Sequence, residues 1–180
     1  MARRTRYALV LAAALVSAAP TPNPHVLLQI KPGLWEFNDS TKVAGDTVFP
    51  EAMLAGIPAA QRAQRLAQLR QMIAQPGRER ECITQAVFEK RLFGLETACK
   101  RTIVSNTPGR IEIVTDCEGE SGGLRQDKKA KILATSPTAA TMSFHAVSTQ
   151  NGKTMTVDSI QNGRWLSSSC GDVHGIQIVE

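Results

Sequence analysis

CKRTIVSNTPGRIEIVTDC, residues 99–117, decides the fold. It reads strand, turn, strand, because β-branched and polar residues alternate on both sides of Asn106-Thr107-Pro108-Gly109. Folding this hairpin about Pro108 sets Ile103 opposite Ile113 and, in the same register, Cys99 opposite Cys117. The pattern continues downstream. Residues 128–135 form a strand that Ser136-Pro137 breaks. Met142, Phe144 and Ala146 alternate with Ser143 and His145. Asn151-Gly152 is a strong hairpin dipeptide, and Met155 and Val157 alternate with polar residues after it. Asn162-Gly163 then precedes Arg164-Trp165-Leu166. Short turns between successive strands make residues 99–170 an antiparallel meander.

Upstream the texture differs. Residues 33–37 read as a first strand. Residues 50–76 are a helical insert, in which 59–74 carry Leu66, Leu69 and Ile73 on one face and end before Pro76-Gly77. A shorter helix follows Cys82, with Thr84 as N-cap and Phe88 and Leu92 at i, i+4. The expected fold is α+β: about six strands in a curved sheet or partial barrel, with one long and one short helix. The long helix is expected to cover the buried face.

The first residues carry an export signal. Arg3, Arg4 and Arg6 precede an apolar run over 7–16, and small residues follow before Pro20. The run is too short to span a bilayer as a helix. Residues 1–18 are therefore read as a signal peptide cleaved after Ala18, leaving 19–180 as a single exported domain with no transmembrane span. Three of the 21 basic residues leave with the leader, so the net charge falls from +5 to +2. That argues against nucleic acid as a partner.

Cys82, Cys99, Cys117 and Cys170 all follow the leader, and an even count in an exported chain reads as two disulfides. Zinc would want closely spaced ligand pairs, yet no two cysteines lie closer than 17 positions. The hairpin register favours Cys99–Cys117, leaving Cys82–Cys170. The alternative is Cys82–Cys99 with Cys117–Cys170, since a one-residue slip at the turn moves one cysteine to the other face.

Lys31-Pro32-Gly33-Leu34-Trp35-Glu36, the Cys82-Ile83-Thr84 step and the closing Gly163-Arg164-Trp165-Leu166 with Cys170 resemble the bacterial exported family called domain of unknown function 3617. The resemblance spans residues 31–172, and Ser167 stands where that family usually has glycine. It implies a periplasmic or cell-envelope location in Gram-negative bacteria. It implies no activity, so no catalytic residue is carried over.

The residues themselves argue against catalysis. Ser143, His145 and Asp158 could be assembled as a triad, but they read as a solvated strand face. His25, His145 and His174 form no H-x-x-x-H spacing, and His25 and His174 fall in expected tails. Asp116, Glu118 and Glu120, like Lys128, Lys129 and Lys131, read as charges that protect sheet edges. Trp35 and Trp165 are expected to anchor the core rather than line a pocket. No catalytic, metal or cofactor site is expected, and no cofactor. The expected function is a non-catalytic periplasmic domain that binds a small apolar ligand or an envelope protein. A structural or stress-related envelope protein is the alternative, followed by a hydrolase. A cavity between sheet and helix would favour binding, and a filled core the structural role.

Overall fold

The computed structural model describes residues 25–49, 51–93, 99–120, 123–173 and 176–178. The expected leader, the cleavage expected after Ala18, and His174 lie outside the described residues.

The meander is present. β3 (Cys99–Thr107) and β4 (Arg110–Glu120) meet at Pro108-Gly109, where the Thr107 hydroxyl accepts from the Arg110 N–H at 3.1 Å. Thr107 pairs with Arg110 across that two-residue turn. Continued without a break, this register would set Cys99 opposite Glu118. A bulge at Val104 absorbs one residue, so Ile103 meets Ile113 and Cys99 meets Cys117. β5 (Leu124–Ser136), β6 (Ala139–Gln150) and β7 (Lys153–Ser167) follow. Asn151 and Gly152, at φ 51° and 75°, make the tight turn that matches strand twist. Asn162-Gly163 makes no turn: β7 runs straight through it. Gly163 sits where a Cβ would enter the Phe37 ring, so this glycine answers a packing demand.

β1 (Gly33–Gly45) joins the free side of β7, β2 (Gly77–Ile83) pairs with β1, and β8 (Ile176–Ile178) pairs with β2. The eight-stranded antiparallel sheet has the order β3-β4-β5-β6-β7-β1-β2-β8. β2 and β8 add to the six strands read from the sequence. The charges of Arg78, Glu79, Arg80 and Glu81 hide the alternation of β2, whose buried face is Glu81 and Ile83.

The sheet is open, with β3 and β8 at its edges. It is also curled. β5 and β2 stand four strand spacings apart, about 19 Å on a flat sheet, yet Ile132 of β5 and Ile83 of β2 belong to one core cluster with Trp35. The chain must pass from β2 to the far edge at β3. It does so through α2 (Gln85–Phe93), which starts with Val87 N–H donating to the Thr84 hydroxyl at 3.2 Å and buries Phe88 and Leu92 in that same cluster. The expectation that the long helix covers the buried face needs correction. α1 (Ala59–Ala74) packs Leu66, Leu69 and Ile73 on a second, smaller cluster with Val48, Phe49, Leu124 and Met155. Its apolar stripe is narrow, with Leu69 its buried residue, so it closes one end and leaves the main cluster to α2.

The lead-in segment is structural too. Val26 and Leu28 are buried, and Gln29 and Lys31 donate their N–H groups to the carbonyls of Pro108 and Pro137, each at 2.8 Å. It thereby ties down the β3–β4 and β5–β6 turns. His25 is exposed but bound through Nδ1 to Glu89 Oε1 at 3.1 Å.

Cys99 is bonded to Cys117 with Cα atoms 4.0 Å apart, and Cys82 to Cys170 with Cα atoms 5.4 Å apart. The second bridge joins β2 to the segment after β7. The edge role expected of two charge clusters is overturned. Asp116, Glu118 and Glu120 lie on β4, and Lys128, Lys129 and Lys131 on β5, both interior strands. Edge position is set by long-range strand order, which local charge does not reveal.

Candidate functional site

A cavity of about 210 Å³ opens between the concave face of the sheet and α2. Ile83, Phe88, Leu92, Ile132 and Met142 form its apolar wall, with Trp35 and Phe37 stacked at 6.1 Å between ring centres. The volume stays unfilled because Ala130 and Ala140 stand where the curled sheet brings large side chains from other strands. Glu79 and Gln161 supply the polar lining. Alternation along β5 and β6 places Ala130, Ala140 and Met142 on the inward face. Small residues at inward positions are a legible hint of space, but whether other strands fill that space depends on curvature.

Trp35 lines this cavity and is also buried, so core anchoring and pocket lining are one role. Its register partner is Trp165, distant in sequence but adjacent in the sheet. The Trp35 indole donates to the Lys31 carbonyl at 2.9 Å and the Trp165 indole to the Pro32 carbonyl at 3.0 Å. The Lys31 ammonium lies 4.8 Å from the centre of the Trp165 ring. Gly33 adopts φ 130°, and a Cβ there would strike the Ser167 carbonyl. Ser167 itself has no positive φ, so serine fits its backbone without strain. The opening and closing motifs of the chain thus form one cluster.

That cluster continues on the outer face. Glu36 stands between Arg80 of β2 and Arg164 of β7. Arg164 donates to Glu36 Oε1 from Nη2 at 2.7 Å and from Nε at 3.0 Å, while Arg80 Nε donates to Oε2 at 3.2 Å. The Glu36 side chain is 2% exposed, against 43% for Arg80 and 66% for Arg164. The Arg164 hydrogen bonds, opposed in part by burial and reinforced by Arg80, hold the Glu36 carboxyl below its ordinary range.

The remaining candidates sort themselves by geometry. His145 Nδ1 and Asp158 Oδ1 are 2.6 Å apart across β6 and β7, and both side chains are about half exposed. Ser143 lies two residues along the same strand, beside a shallow outer groove. The pair is a solvated cross-strand contact, and both residues line that groove together with Ser143. Asp116, Glu118 and Asp127 surround Arg125 at 3.1–3.6 Å, so two members of that acidic cluster, Asp116 and Glu118, pair with one arginine. Among the described residues, no group of three or more His, Cys, Asp and Glu could hold a metal ion, and no helix is long and apolar enough to cross a membrane.

No curated protein and no solved structure matches the chain. The model of one family, described as a protein of unknown function (DUF3617), matches residues 30–170, from the lead-in to the last cysteine. By that match, which takes in both tryptophan motifs and all four cysteines, the chain belongs to the DUF3617 family.

Proposed function

We propose that this protein is an exported periplasmic domain that works by binding rather than catalysis, and that it holds a small apolar molecule in the cavity beneath α2. The observation that carries the reading is the cavity itself. A well-packed domain of this size leaves few voids larger than a water molecule, whereas this one keeps about 210 Å³ lined mainly by apolar side chains. An engineered apolar cavity of about 150 Å³ already accepts benzene. The ligand is therefore a compact apolar group somewhat larger than benzene, with one hydrogen-bonding end toward Glu79 and Gln161. The export pattern of residues 1–18 and the two disulfides support the periplasm as the place of action.

Native mass spectrometry of the protein purified from periplasm tests this. A retained small-molecule adduct, lost in Ala130→Leu without loss of folding, is the expected result. A ligand-free wild type that also takes up no apolar fluorescent probe would instead favour a structural envelope role.

A further inference from the structure

We propose that the outer face of the sheet binds a phosphate-class oxyanion between the guanidinium groups of Arg80 and Arg164, which Glu36 holds in place from below. This site is separate from the cavity, on the opposite face of β1.

In the outward rows of β2, β1 and β7, the register sets Arg80, Glu36 and Arg164 side by side, with Arg78, Asn38 and Asn162 in the next row. Two guanidiniums share the Glu36 carboxylate, and Arg78 stands in the neighbouring row. Neutralising Glu36 needs one arginine, and two converge on it. Elsewhere on the sheet the ratio is reversed, as at Arg125 among Asp116, Glu118 and Asp127.

A guanidinium has five N–H donors in a planar fork. Arg164 directs Nε and Nη2 at Glu36, and Arg80 directs Nε there. Among the described residues, the two Nη groups of Arg80 and Nη1 of Arg164 have no protein acceptor. Arg78 is bound through Nε to Asn38 Oδ1 at 3.3 Å and adds a third cation beside them.

Glu36 is buried on a central strand, so the guanidiniums are already oriented and lose little side-chain freedom on binding an anion. Arginine forks suit phosphate oxygens, to which they donate paired hydrogen bonds. Such a phosphate is presented either by a free phosphate compound or by an anionic phospholipid headgroup.

The test uses the exported, disulfide-bonded protein at low ionic strength. Inorganic phosphate is titrated by ¹⁵N NMR of the arginine Nε–H resonances. Vesicles of phosphatidylglycerol and of phosphatidylcholine are used in parallel for co-sedimentation. Phosphate is expected to shift Arg80 and Arg164 and to leave Arg70 and Arg125 unmoved. Arg80→Gln and Arg164→Gln should each weaken binding about tenfold or more, and Lys153→Gln, which removes the same charge at a distant turn, should not. Shifts with free phosphate identify a soluble ligand, and retention on phosphatidylglycerol vesicles alone identifies the headgroup. Absence of both, uniform shifts of all arginines, or equal weakening by Lys153→Gln would overturn the proposal. The wild-type NMR result stands whether or not the arginine variants fold.

Discussion

Cys99 faces Cys117 across β3 and β4 because Val104 bulges out of the strand between them. Counted from the turn, Thr107 opposite Arg110 would carry Cys99 to Glu118; one extra residue on β3 corrects the register. Deleting Val104 should therefore give a plain ladder that keeps Cys99 opposite Cys117, whereas inserting one residue beside Val104 should carry Cys99 opposite Glu118 and prevent the native bridge. Non-reducing peptide mapping checks this: the wild type and the deletion variant are expected to give Cys99–Cys117 and Cys82–Cys170 peptides, and the insertion variant to lose the first. A native Cys99–Cys117 peptide from the insertion variant would show that the single-residue bulge does not set the register.

The two bridges should contribute unequally. Cys82–Cys170 spans 88 residues and Cys99–Cys117 only 18. In the chain-entropy model the longer loop is worth about 4.5 kcal/mol and the shorter about 3 kcal/mol. The short loop is also already closed by its own hairpin. Cys82→Ala with Cys170→Ala should lower Tm more than Cys99→Ala with Cys117→Ala. Thermal melts under identical oxidising conditions decide, and the opposite ranking would refute the loop argument.

Acid should act through Glu36. Its carboxyl is held below the ordinary value of 4.5, so its ion pairs stabilise the fold above that pH. This contribution is lost as pH falls through the lowered folded value. Glu36→Gln should be less stable than the wild type at pH 7, and the difference should shrink at pH values well below 4.5. Urea denaturation at neutral and acid pH measures it; an unchanged difference would mean that the ion pairs are not its source.

Two motif glycines should differ in tolerance. At Gly33 an added Cβ meets the Ser167 carbonyl while φ is 130°, so both backbone strain and a rigid clash oppose it. Gly33→Ala should cost about 3 kcal/mol. At Gly163 the obstacle is the Phe37 ring, a side chain that can shift, and φ is ordinary. Gly163→Ala should cost about 1 kcal/mol. Equilibrium unfolding of the two variants tests the ranking, and a larger loss at Gly163 would contradict it.

What could be read locally was read from the chain: the period-two alternation of the meander, the Asn151-Gly152 turn, the Thr84 cap and the apolar stripe of the long helix each depend on neighbours within a few residues. The Cys99–Cys117 pairing was legible for the same reason, although its route through Val104 was not. Strand order, curl and empty volume are sums over residues far apart in sequence, and only the tertiary structure decided them. The curl sets Ile83 beside Ile132 and leaves the cavity above Ala130 and Ala140. Long-range pairing carries Trp35 to Trp165, Glu36 to Arg164, and the lysines of β5 to the middle of the sheet instead of its edge. A side chain's alternation tells which face it takes; what it meets on that face is chosen by strands that sequence proximity does not bring together.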